Sequence, residues 1–194
     1  RQRLSTVLVL GWAARLAPFL LVRAFAMGPD PRLAPIMANI TGYVLVWALN
    51  ALWAWVTLLA HSLLAGRPPT SPNLKLGPGG WLAALAFVGG VGIEALADFQ
   101  RSAFRAAQQG ARAVCDVGLW RLSRHPNYFG ELLAWSAMCA LALPALRREE
   151  GERQHAGWLR QLGALCSPLF LGWLLLCVSG VPLAERRGGA LFRA

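Results

Sequence analysis

The chain has 194 residues, 56% of them hydrophobic and only 14% charged, with nine tryptophans, a mean hydropathy of +0.46 and a formal net charge of +10. Soluble domains carry about 25% charged residues and disordered chains are poor in apolar ones, so this composition excludes an ordinary water-soluble globule and a disordered segment alike. Of the four cysteines, Cys139, Cys166 and Cys177 lie inside apolar runs, and no Cys/His spacing suits zinc, which argues against a secreted disulfide scaffold and against a metal site.

In chain order, the first apolar segment covers residues 5–27 and contains Arg15 and Arg23. Arg1-Gln2-Arg3 before it and Ala24-Phe25-Ala26 at its end imitate a signal peptide with its cleavage site. The two internal arginines speak instead for a membrane span whose cations face the bundle interior or snorkel. From residue 33 to 66 there is no Asp, Glu, Lys or Arg, which is enough for a span at about 41–65 and an approach loop. Residues 67–73, with three prolines, form a loop. A third run, 76–93, opens at Gly77-Pro78-Gly79-Gly80 and closes at Glu94. The fourth, 132–146, reaches span length if it begins at Tyr128, and the fifth is 161–184. The expected fold is all-α: a polytopic membrane bundle of about five transmembrane helices, one domain over residues 1–194. His61 is expected to be satisfied within that bundle, and His155 lies in the charged loop before the last span.

Five spans place the N-terminus and the loops at 66–80 and 147–160 on one side, and the loops at 28–40 and 100–127 and the tail on the other. Both sides are about equally basic, so the positive-inside rule does not orient the bundle. The densest cluster, Arg101, Arg105, Arg112, Arg121 and Arg124, is assigned to the cytoplasm. The arginines are dispersed over spans and loops with no aromatic-basic surface module. The expected partner is therefore the lipid bilayer and not a nucleic acid.

Glu94, Asp98, Arg101 and Arg105 are spaced by 4, 3 and 4 residues, so the third helix continues past Glu94 with all four on one narrow face, and Gln108 extends the stripe. One reading is an interfacial helix with solvated or paired charges; an Asp98–Arg101 pair would add only about 0.2–0.5 kcal/mol. The other is functional. Arg101 and Arg105 repel each other, and two arginines held on one face make a fork for a phosphate or pyrophosphate.

A loop with Gly110, Asp116 and Gly118 leads to Leu119-Trp120-Arg121-Leu122-Ser123-Arg124-His125-Pro126-Asn127-Tyr128-Phe129-Gly130-Glu131. Pro126 suits the first turn of a helix, whose exposed N–H groups favour anions, and Arg121, Arg124 and His125 gather there as a second anion-binding constellation. Asn127 and Glu131 share a face, with Glu131 one turn inside an apolar helix. A carboxylate at the bilayer centre costs about 2.5–3.5 kcal/mol. Glu131 is thus a cofactor hydrogen-bond partner, a proton donor or a structural counter-ion. Tyr128 is either an interfacial anchor or a participant in chemistry.

Taken together, residues 94–105, Gly118 to Glu131, and Val178-Ser179-Gly180-Val181-Pro182-Leu183-Ala184-Glu185 resemble the steroid 5-alpha reductase superfamily. The nearest part of it is the uncharacterised branch of small membrane proteins with a 5-alpha-reductase-like C-terminal domain. Arg15-Leu-Ala-Pro-Phe-Leu-Leu-Val-Arg23, with Asp30 and Arg32, is similar to that branch as well. The similarity is strongest over residues 92–144. Family members have further spans before this segment and a tyrosine-containing basic tail after it, so the chain reads as truncated at both ends.

The resemblance implies NADPH bound near the cytosolic side. Asp98, Arg105, Asn127 and Tyr128 would contact the cofactor, Arg124 and His125 would sit at the mouth of its site, and Glu131 would line the pocket. Arg101 joins the phosphate-holding set through the stripe, and Glu131 and Tyr128 are the candidate catalytic residues. The implied reaction is reduction of a C=C bond conjugated to a carbonyl in a hydrophobic small molecule, a lipid or steroid-like enone. The implied location is the endoplasmic reticulum of a eukaryote or the inner membrane of a bacterium. Isoprenylcysteine carboxyl methyltransferases share Arg-His-Pro-x-Tyr, so an S-adenosylmethionine-dependent membrane methyltransferase is the alternative. Those enzymes carry paired glutamates after an arginine near the C-terminus, where this chain has Glu185 before Arg186-Arg187. A non-catalytic remnant is the third reading.

Overall fold

The computed structural model describes residues 1–27, 34–107 and 114–178. Its α-helices are α1 (Gln2–Met27), α2 (Ile40–Thr57), α3 (Leu59–Ala65), α4 (Pro78–Ala107), α5 (Pro126–Ala142) and α6 (Ala156–Trp173). Short 3-10 turns occupy Pro72–Leu74, Gly118–Arg121 and Leu143–Leu146, and a π-helical turn, Leu174–Val178, extends α6. No strand occurs among the described residues. Five helical stretches are long and apolar enough to cross a bilayer: Gln2–Phe25, Ile40–Thr57, Pro78–Ala107, Pro126–Leu146 and Ala156–Val178. The protein is an all-α integral membrane bundle, as its composition requires.

Local chemistry sets the helix ends. Asn39 caps α2, its side-chain oxygen accepting the Gly42 N–H at 2.8 Å. Pro126 opens α5 at the position where a missing N–H costs nothing. Two boundaries differ from the hydropathy reading. The stretch expected at 41–65 is divided at Leu58 into α2 and α3. The Thr57 carbonyl, at that division, accepts the Ser167 hydroxyl of α6 at 2.6 Å, a tertiary bond that hydropathy does not register. The last span begins at Ala156 and not at 161, because Arg160 is neutralised by Glu152 at 2.5 Å and so enters the helix.

The core forms around α5, which packs most extensively against α4. Trp135, fully buried on α5, meets Trp12 of α1 edge-on at 5.0 Å and Phe87 of α4 at 6.0 Å. Each aromatic pair of this kind adds about 0.5–1.5 kcal/mol beyond burial. The outer faces are apolar and uncovered, as at Leu10, Val44, Leu85 and Leu169, the surface that a bilayer covers.

One end of the bundle is tied by polar contacts. The Gln2 amide donates to the carbonyls of Leu64, Ala65 and Arg67, at and just beyond the end of α3. Arg67, 6% exposed, pairs with Glu149 and with Glu152, and Ser71 bonds Glu149. The loops at 66–77 and 147–155 therefore lie together, on the side that five spans require. His61 reaches the Ser5 hydroxyl at 3.1 Å, a satisfied bundle histidine as expected. Hydrogen bonds from Arg160 and Arg67 hold the Glu152 carboxyl down to about 2. Ser71 and Arg67 hold Glu149 below the usual carboxylate range.

Candidate functional site

At the opposite end, α4 carries its charged stripe past the apolar core. The face expected from the spacing is present, but its acids have a partner on another helix. Arg15 of α1 pairs with Glu94 and, through Nη1 at 3.3 Å, with Asp98. Glu94 is buried, and its second carboxylate oxygen has no hydrogen-bond partner. Arg15 thus faces the bundle interior. Asp98 takes its hydrogen bond from Arg15, 83 positions away, and not from Arg101 one turn on.

The α4–α5 crossing brings a third carboxylate to this cluster. A Cβ on Gly90 would lie 2.6 Å from the Ala134 nitrogen and the Gly130 oxygen. One on Gly130 would lie 2.6 Å from the Gly90 oxygen and 2.7 Å from the Glu94 nitrogen. The two backbones touch because both positions lack side chains, the small-residue packing common between membrane helices. Glu131, next to Gly130, consequently lies in the electrostatic field of Glu94, Asp98 and Arg15. Asn127, one turn earlier, has a buried amide oxygen without a partner. Tyr128 lies in the field of Arg101, Glu131 and Asp98, and His125 stacks on it at 5.1 Å with planes 10° apart.

The segment before α5 is fastened onto α4. The Trp120 indole N–H donates to the Ala97 carbonyl at 2.9 Å, and the Leu119 N–H donates to the Gln100 side-chain oxygen at 2.9 Å. Gly118 adopts φ +55°, and a Cβ there would run into the Gln100 amide. Arg101 lies over the Trp120 ring with its guanidinium carbon 4.9 Å from the ring centroid, within cation–π range.

Asp98, Arg101 and Glu131 are thereby among the charges that act on Tyr128, with Asn127 on the first turn of α5 and His125 immediately before it. Arg105 and Arg124 are exposed near the two helix ends that bound this region. Gln108, Gly110, Arg112, Asp30, Arg32 and the segment from Ser179 to Glu185 lie outside the described residues. Two shallow concavities lie elsewhere, one against Gln2, Thr6 and Ala65 and one against Met37, Ile40 and Tyr43. Sequence reasoning did not assign Arg15, Glu94, Gln100 or Trp120 to the site. A signal for the first pair existed: an arginine inside an apolar span needs an anion, and Glu94 and Asp98 stand at the end of another span. No comparable signal marks Gln100 or Trp120, whose hydrogen bonds are to main-chain atoms.

Chemically the cluster offers a carboxylate pair locked by a guanidinium, an adjacent carboxyl and phenol, and cations at its edge. A carboxylate accepts about four hydrogen bonds, so Asp98 retains capacity after its contact with Arg15. The chain belongs to a family described as protein of unknown function (DUF1295), whose profile matches residues 1–191. No curated protein and no solved structure matches it.

Proposed function

We propose that the protein is an NADPH-dependent membrane oxidoreductase that reduces the C=C bond of a lipid or steroid-like enone, with its cofactor side in the cytoplasm. The resemblance of residues 92–144 to steroid 5-alpha reductases supports this reading, and one observation carries it: the close crossing of α4 and α5 sets the turn of α5 that bears Tyr128 and Glu131 against the acidic stretch of α4 that begins at Glu94.

The residues present fit a dinucleotide. The unpartnered Asn127 oxygen and the remaining capacity of Asp98 suit sugar hydroxyl or carboxamide donors. Arg101, Arg105, Arg124 and the N–H groups at the start of α5 suit phosphates, with His125 beside them. NADPH, when bound, supplies a hydride to the electron-poor carbon of the conjugated C=C. The chain's own contribution is electrostatic. Glu131 and Tyr128 are the groups placed to offer a proton or hydrogen bond to the oxygen on which enolate charge develops, an effect worth about 3–4 kcal/mol per donor in water-excluded sites. Apolar helix faces next to the cluster suit a substrate arriving from the bilayer.

The test is a titration of the detergent-solubilised protein with NADPH, NADH and S-adenosylmethionine, followed by tryptophan fluorescence, to which Trp120 and Trp135 contribute. Saturable NADPH binding that is lost in Arg105→Glu, with an unchanged melting temperature, is the expected result. Glu131→Gln should keep NADPH affinity and lose turnover of a steroid-like enone in mixed micelles. Binding of S-adenosylmethionine in place of NADPH would make the protein a methyltransferase. Near-wild-type NADPH binding by Arg105→Glu would remove the site assignment.

A further inference from the structure

We infer that Trp120 is a positioning residue: its ring, pinned to the main chain of α4, holds the Arg101 guanidinium in place and so determines how tightly this end of the bundle binds a phosphate or pyrophosphate group. The inference rests on the reading that the arginine end of α4 is an anion site, and it adds the device that sets its affinity.

Three contacts converge on a five-residue stretch of α4, Ala97 to Arg101. Ala97 offers its carbonyl to the Trp120 indole N–H, Gln100 takes the Leu119 N–H, and Arg101 covers the Trp120 ring. The first two fix the 3-10 turn Gly118–Arg121 against the helix, and the left-handed backbone of Gly118 lets the turn close down on the Gln100 amide. The ring is therefore held at the α4 surface independently of Arg101. An arginine on an exposed helix end samples many rotamers, and ordering it on binding costs affinity. A guanidinium held over a fixed indole has already lost part of that freedom. The ring attracts the cation as a whole, so N–H donors remain for an anion. The same anchored turn leads directly to Arg124, His125 and the start of α5, so one fastening sets the separation of the two cationic groups.

The experiment is a double-mutant cycle on the full chain in detergent. NADPH affinity is measured by equilibrium dialysis, which needs no tryptophan signal, with inorganic pyrophosphate as competitor. Trp120→Leu removes the ring and should weaken both ligands about tenfold, the size of a desolvated cation–π contact. Arg101→Ala should weaken them at least as much. In the Arg101→Ala background, Trp120→Leu should have no further effect, and the salt dependence of binding should flatten equally in both single variants. Trp120→Phe loses the bond to Ala97 but keeps an aromatic ring for Arg101, and should fall between wild type and Trp120→Leu. Losses that add independently would overturn the inference, because a merely structural tryptophan acts regardless of Arg101. So would Trp120→Leu binding as wild type, or Trp120→Phe falling as far as Trp120→Leu. Failure of the reductase reading is seen separately: wild-type protein that binds neither NADPH nor pyrophosphate refutes that reading and this inference before any variant is made.

Discussion

Replacing Gly90 by alanine tests the geometry that assembles the site. The added Cβ would stand 2.6 Å from two backbone atoms of α5, the Ala134 nitrogen and the Gly130 oxygen, where ordinary contact is 3.4–4 Å. Neither atom belongs to a flexible side chain, so α4 and α5 must separate by roughly 1 Å along their most extensive contact. Overpacking of this kind costs about 1–3 kcal/mol. Gly89, the preceding residue on the same helix, has nothing within 4 Å of its Cβ position and is the matched control. Both substitutions gain the same helix propensity, about 0.5–1 kcal/mol, so their difference isolates the steric term. At about 3 °C per kcal/mol for a chain of this size, Gly90→Ala should melt roughly 3–9 °C below Gly89→Ala in the same detergent. Because Glu94 and Glu131 flank the crossing, Gly90→Ala should also weaken NADPH binding, which Gly89→Ala should preserve. Equal melting temperatures for the two variants would refute the close crossing, and with it the placement of Glu131 beside Glu94.

Other expectations follow from the charge clusters. Arg15→Leu leaves Glu94 and Asp98 without their cation and should destabilise the protein by about 3–5 kcal/mol, measured as thermal melting in detergent; adding Glu94→Gln and Asp98→Asn should recover much of the loss, and no recovery would show that the pairings do not form. At the other end, the Glu149 and Glu152 carboxyls are held below their ordinary value of 4.5, Glu152 at about 2. Their contribution is present above pH 4.5 and disappears as pH falls toward 2. Melting temperature should therefore fall more steeply over that range in wild type than in Glu149→Gln/Glu152→Gln, and parallel curves would exclude the clasp around Arg67. Loss of NADPH binding in Arg105→Glu and its coupling to Trp120 through Arg101 complete the set.

The bundle is held at its two ends by different means. The Arg67 clasp joins two loops through a buried guanidinium and partly exposed carboxylates, so water reaches the acidic side and the pairing orders backbone more than it adds energy. The Arg15 cluster is buried among helices, where an uncompensated charge is expensive and its geometry is correspondingly constrained. A site that depends on fixed charges belongs at the second kind of place.

Much of the architecture was legible in the chain. Runs of 18 or more apolar residues have no stable place in water, so the spans followed from composition, and Pro126 marked the start of α5 because proline lacks the N–H that a helix interior needs. Periodicity put Glu94, Asp98, Arg101 and Arg105 on one face of α4, since that spacing is a property of a single helix. The same reasoning offered Asp98 a partner on its own helix only as one reading, and the tertiary structure supplies Arg15 of another helix instead. Whether Arg15 meets Asp98, Gly130 meets the Glu94 backbone, or Trp120 meets Ala97 depends on the depth, rotation and crossing of different helices. The division of one apolar run at Leu58 was likewise outside the reach of hydropathy, which treats α2 and α3 as the same solvent problem. Local periodicity and transfer energy act within a helix and were readable from the amino acids alone; the relative placement of helices is set by packing at contacts such as Gly90–Gly130, between residues 40 positions apart, and only the folded chain specifies it.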